Sequence, residues 1–99
     1  MLQAIRSAHC NDIAVGTMDL SNTVAVSLAT GGAVKALVID DPYSIGKSLA
    51  TEIGYSLIGK QVPPYIQVPA TPVTRDSLLD AYANAYHIEP PPEVTSALR

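Results

Sequence analysis

The chain holds a single cysteine, Cys10, so no internal disulfide can form, and the thiol is expected to act as a small buried hydrophobe. No apolar run approaches the ~18–20 residues that cross a bilayer. Basic residues are scarce: six Lys plus Arg against nine Asp plus Glu leave a net charge of -3. That balance gives no electrostatic footprint for nucleic acid, and no basic amphipathic stretch suits a membrane surface. The opening Met1-Leu-Gln-Ala-Ile-Arg6 lacks the apolar core of ~7–15 residues that a signal peptide needs. Two expectations follow, a cytoplasmic protein or a chain whose beginning is missing. Disorder is excluded by what is abundant, since 47% of the residues are hydrophobic and only 15% charged. Ninety-nine residues allow one domain at most, as domains usually run ~100–150 residues. A chain of this size buries only roughly two-thirds of its unfolded surface, so modest stability is expected.

Along the chain, Leu2 to His9 reads as the end of a helix, with Leu2, Ile5 and Ala8 on one face. Ile13 to Gly16 is short and apolar, fitting a buried strand, and Gly16 to Asp19 then forms the loop at its carboxyl end. Ser21 to Thr30 supports either an alternating strand or a helix, and Gly31-Gly32 stops it as a helix cap or a turn. Val34 to Ile39 is the clearest strand, between Gly-Gly and Asp-Asp-Pro. Pro42 suits a first helical turn. Ile45, Leu49, Ile53 and Leu57 then recur every four residues to about Ile58, and Gly59 caps the helix. Gly46 and Gly54 inside it each cost ~1 kcal/mol relative to Ala, which predicts close packing against a neighbour. Tyr65 to Val68 reads as a third strand. Thr74 can cap a helix bearing Leu78, Leu79, Tyr82, Ala83 and Tyr86, and Glu93 to Leu98 as a last short helix. Core packing is the expectation for Tyr55, Tyr82 and Tyr86. Helices alternating with strands predict an α/β chain, a parallel sheet near residues 13–16, 34–39 and 65–68 with crossover helices. In such sheets ligands bind outside the carboxyl ends of the strands.

Catalytic patterns are not met. Gly46-Lys47-Ser48 would need a glycine five positions before Gly46 to form a phosphate loop, and Asp41 stands there. His9 and Cys10 are adjacent and therefore rarely face each other, and His87 has no ligand-spaced partner. No Gly-x-Ser-x-Gly elbow and no Gly-x-Gly-x-x-Gly occurs. No enzyme is expected, and no cofactor. Two acids remain at informative places: Asp19 after the first strand and Asp40 at the end of the second. Carboxylates there can accept bidentate hydrogen bonds from vicinal hydroxyls or pair with a cation, or each can simply cap the helix that follows. Asp41 is expected to be solvated or capping.

The stretch Ile13-Ala-Val-Gly-Thr-Met-Asp19, followed by Gly31-Gly32 and Val34-Lys-Ala-Leu-Val-Ile-Asp-Asp-Pro-Tyr-Ser-Ile-Gly46, resembles the carboxyl-terminal part of type I periplasmic sugar-binding proteins. These are the solute receptors of bacterial ABC importers, of the ribose- and galactose-binding kind. Leu57-Ile-Gly-Lys60 resembles the family's Leu-Leu-x-Gly-Lys helix end, and Val68-Pro-Ala-Thr-Pro-Val-Thr-Arg-Asp76 its last strand and close. Lactose-repressor-like regulators share the fold and give the alternative, a fragment of an effector-binding domain. They usually carry Pro-Pro-Leu-Thr-Thr-Val where this chain has Gly32-Ala-Val-Lys-Ala-Leu-Val38, so the receptor reading is the better one.

The resemblance implies a partial periplasmic-binding-protein-like fold. Residues 1–40 would belong to the carboxyl-terminal lobe, 41–68 would cross the hinge into the other lobe, and 69–99 would return with the tail. Family members are about three times longer, so the chain is expected to be a fragment of a periplasmic or cell-surface parent. The implied partners are a sugar or polyol ligand and an importer permease. Asp19 matches the family's ligand-binding Asp, and Asp40 matches a ligand-contacting position usually held by Gln or Asn. Thr17-Met18 replaces the usual Phe before the Asp, and Asp40 lacks an amide's N–H donors. That second carboxylate shifts the expectation from a plain neutral sugar toward a polyol or an amine-bearing ligand. The partners of the Ile45, Leu49, Ile53 and Leu57 face would lie in the other lobe. Burying such side chains is worth ~1.5–3 kcal/mol each. The chain alone is therefore expected to fold that helix onto its own sheet, pair with another copy, or aggregate, and to bind no sugar measurably.

Overall fold

A strand of seven residues, Val34–Asp40 (here β2), lies at the centre of a three-stranded sheet in the computed structural model, which describes residues 1–99. Val15–Met18 (β1) pairs with it in parallel, and Ala70–Val73 (β3) pairs antiparallel on the other side. Five helices complete the mixed α/β chain: α1 Leu2–Ser7, α2 Asn22–Ala29, α3 Pro42–Leu57, α4 Leu78–Tyr86 and α5 Pro92–Ala97. No helix is long and apolar enough to cross a membrane.

The ambiguous segment resolves as helix α2 because its burial follows the helical period: Ala25, Leu28 and Ala29 are all buried in the core. Leu20 before the Ser21 cap and Ala25 inside the first turn are both core residues, the arrangement of a hydrophobic staple. Its end is a Schellman motif. Gly31 N–H donates to the Leu28 carbonyl (3.2 Å) and Gly32 N–H to the Ser27 carbonyl (2.7 Å), with Gly31 at φ 70°. Gly59 (φ 73°) and Lys60 close α3 in the same way on Ser56 and Tyr55. At the start of α4 the cap is Ser77, not Thr74, and its hydroxyl accepts from Thr74 N–H at 3.1 Å.

The sheet departs from the all-parallel expectation. β1 begins at Val15 instead of Ile13, because pairing with β2 starts at Val15↔Val34. The third strand is Ala70–Val73, not Tyr65 to Val68, and it runs antiparallel with Asp40↔Ala70 and Leu37↔Val73 in register. A parallel strand would require α3 to pack back across the sheet and return the chain to the opposite end. Instead α3 has no buried residue, and the chain re-enters beside Asp40, at the end from which it left. Pro72 is tolerated within β3 because that strand lies at the sheet edge.

The core is one cluster of 13 buried apolar residues, drawn from all three strands, from α2, α4 and α5, and from Leu20 in the turn between β1 and α2. On α4, Leu78, Tyr82 and Ala85 supply it at helical spacing. Tyr86 is only partly sheltered and Tyr55 is exposed beneath the Lys60 ammonium, so of the three expected core tyrosines only Tyr82 is one. Cys10 is half-buried instead of enclosed. With α3 contributing nothing to the core, the Cα radius of gyration is 17.1 Å, against ~13 Å for a compact chain of about 100 residues.

Candidate functional site

Asp19 and Asp40 stand at the carboxyl ends of the two parallel strands. The Met18↔Val38 pair is the last of their shared register, and Asp19 N–H extends the ladder by donating to the Val38 carbonyl at 3.1 Å. Asp40 is the last residue of β2. Both side chains are exposed. Asp19 adopts φ 68°, a left-handed conformation that Asp accepts more readily than most side chains. The turn aims the chain out of the sheet and places Leu20, 2% exposed, back in the core. Neither Asp caps a helix: α2 starts from Ser21 and α3 from Asp41.

Capping falls to Asp41. One of its oxygens accepts from Ser44 N–H at 3.0 Å and the other from the Ser44 hydroxyl. These two bonds, the hydroxyl's first, hold the Asp41 carboxyl below the usual carboxylate range against a small opposing effect of burial; Tyr43 N–H and the nearby His87 add to the lowering. The His87 ring sits against the Tyr43 ring, with centroids 3.9 Å apart. His87 ends α4 at φ 53°, so this contact fastens the end of α4 to the start of α3 beside Asp40 and Asp41.

Two hollows flank Asp40. A cleft of about 80 Å³ lies between the β2 end, Thr71 and the Ala81, Asn84 and Ala85 side of α4. A larger groove of about 490 Å³ runs between α3 and the returning segment, lined by Ile45, Leu49, Glu52, Pro64, Tyr65 and Ile66 among others. Glu52 has one carboxylate oxygen that is out of reach of solvent and unpartnered. Asp19 lines neither hollow. The sheet thus brings the two acids to one edge without enclosing both in one cavity. No group of three or more His, Cys, Asp or Glu is placed to hold a metal ion.

Tyr86 is the residue of this edge that sequence reasoning missed as more than packing. Its hydroxyl donates to the Leu20 carbonyl at 3.1 Å and its ring meets Tyr82 at 4.9 Å between centroids. Burial, then the proximity of Tyr82 and of the Asp19 charge, push its phenol above the ordinary tyrosine value. The only sequence signal was its place on the Leu78, Tyr82 face, which predicts packing and says nothing of Leu20.

Comparison with protein-family models and with curated proteins finds no match to this chain.

Proposed function

We propose that the chain is the carboxyl-terminal portion of a two-lobed substrate-binding protein of an ABC importer, taking up a sugar or sugar-like solute. The observation that supports this most is the pairing of two exposed carboxylates, Asp19 and Asp40, at the carboxyl edge of adjacent parallel strands. That edge is where open α/β sheets bind ligands, and two carboxylates can each accept from vicinal hydroxyls or face an ammonium group. In this reading Asp19 and Asp40 bind, nothing is chemically converted, and the ligand is a polyol, an amino sugar or a related solute. The second support is the chain path: residues 41–69 leave and re-enter the sheet at that same edge, as Asp40↔Ala70 pairing requires. Two neighbouring strands crossing out of one lobe beside its ligand edge would make a hinge. The parent would then work outside the cytoplasmic membrane and deliver its ligand to a permease.

The test is the coding sequence that precedes Met1. A second α/β lobe behind a secretory leader or lipobox is the expected finding. A helix-turn-helix there would instead make the chain part of a lactose-repressor-like effector domain, and neither would refute both.

A further inference from the structure

Two consecutive residues at the end of α4 reach both loops of the carboxyl edge. Tyr86 bonds the Leu20 carbonyl in the turn after β1. His87 lays its ring against Tyr43 in the first turn of α3, with the ring planes 33° from parallel. In the proposed function α4 belongs to the lobe that carries Asp19. Tyr43 stands two residues past Asp41, where the chain leaves that lobe. The contact between His87 and Tyr43 is therefore made across the hinge.

His87 holds this place in a backbone conformation that favours glycine. Its φ of 53° is left-handed, and helices often end on a glycine there. Gly31 and Gly59 close α2 and α3 in that way. The end of α4 carries a side chain instead, in a conformation that His accepts less readily than Gly. The His87 N–H closes the helix on the Ala83 carbonyl at 2.9 Å, as a glycine's would. The helix end thus gives no reason for the ring, and the ring's neighbour is Tyr43.

Little else fixes the direction of α3. The helix has no buried residue, and a Cβ added at Gly46 or Gly54 would meet nothing within 4 Å. The Asp41 cap bonds Ser44 in the helix's own first turn, which stabilises the helix without aiming it. The segment beside it, Pro64 to Ile66, crosses the hinge with it. α4 is the element against which α3 packs, and an aromatic pair prefers a particular offset and tilt.

We propose that Tyr43 and His87 form a latch across the hinge, which holds α3 at one angle to α4 and must break when the lobes swing. Its role rests on the proposed function, whereas the contact itself lies wholly between residues 43 and 87 and needs no ligand. Packed contacts have discrete arrangements, so the latch biases the balance between lobe positions without touching the ligand. Tyr86 ties the same helix end to the turn at Asp19, which places the latch one residue from the ligand edge.

His87→Gly separates the latch from the helix end, because it removes the ring and suits the left-handed backbone. The first measurement is of NMR residual dipolar couplings on the 99-residue chain. In the unmodified chain the couplings of α3 should fit the same alignment as the core. In His87→Gly they should shrink relative to those of the core, whose own couplings persist. Tyr43→Leu should produce the same loss and the double variant no further loss, as expected when both substitutions remove one contact. Tyr43 lies outside the core, so this arm holds even if His87→Gly fails to fold. In the protein read from the full coding frame, energy transfer between a label on each lobe should show a changed distribution of lobe distances in either variant. Couplings of α3 that both substitutions leave unchanged would overturn the latch whatever the ligand. Couplings that change while the lobe distances do not would overturn its role at the hinge. A coding frame with no second lobe would defeat the proposed function, and the latch with it.

Discussion

The phenol of Tyr86 donates to the carbonyl of Leu20 across 3.1 Å, and this one bond ties the last turn of α4 to the residue that follows Asp19. The left-handed turn at Asp19 is thereby clamped from both sides: its own N–H is held by the Val38 carbonyl and the next carbonyl by Tyr86. The edge that carries the two exposed acids is held by such backbone anchors and not by the acids themselves.

Tyr86→Phe keeps the ring and removes the donor. It should cost about 0.5–1.5 kcal/mol of stability, the net worth of a typical hydrogen bond, measurable by urea unfolding. The phenol of Tyr86 is harder to ionise in the folded chain than unfolded. Folding therefore retains a proton that the unfolded chain loses, so its contribution is complete below about pH 10, the ordinary tyrosine value, and is lost as pH rises through the higher folded value. Wild type should lose stability on the alkaline side, and the Phe variant should lose less over that window.

Gly32→Ala tests the close of α2. The added Cβ would lie 2.8 Å from the Ser27 hydroxyl and 3.0 Å from the Ser27 carbonyl. Ser27 is buried, and its hydroxyl accepts from Val34 N–H at 3.4 Å, so yielding to the methyl disturbs the first residue of β2. A loss of ~1–3 kcal/mol is expected, in the range of overpacking, read from the denaturation midpoint.

Asp41→Asn should lower the thermal midpoint and flatten the acid limb of the stability curve. The Asp41 carboxyl ionises more easily in the folded chain, chiefly through its two bonds from Ser44. Its stabilisation is thus complete above the ordinary Asp value of 3.8 and disappears as pH falls through the lower folded value. Thermal melts of both proteins across the acid range should converge at the lowest pH. If they stay parallel, the cap contributes nothing that depends on charge.

Much of this was legible because it is local chemistry. Asp41-Pro42 and Gly59 bound α3, and Gly31-Gly32 ends α2, through residues within one turn of each boundary. β2 is marked by Val34 to Ile39 between turn residues, and Asp19 and Asp40 follow from the strands that precede them. The third strand was not legible, because strand composition does not say which backbone is free to pair. Tyr65 to Val68 has that composition but lines the groove beside α3, while Ala70–Val73 meets the open side of β2. Tyr86 was hidden for a similar reason, since its partner Leu20 lies 66 positions away. The four-residue repeat of α3 predicts a face that packs, but the helix fully buries none of it within the chain.

Isothermal titration calorimetry on the protein read from the full coding frame, with and without Asp19→Ala, tests the central claim most directly. Titrated with neutral sugars, polyols and amino sugars, the unmodified protein should bind at least one. Asp19→Ala should weaken that binding by roughly 10- to 150-fold, the loss of one hydrogen bond to a charged group worth ~1.5–3 kcal/mol. Unchanged affinity in Asp19→Ala would contradict the account.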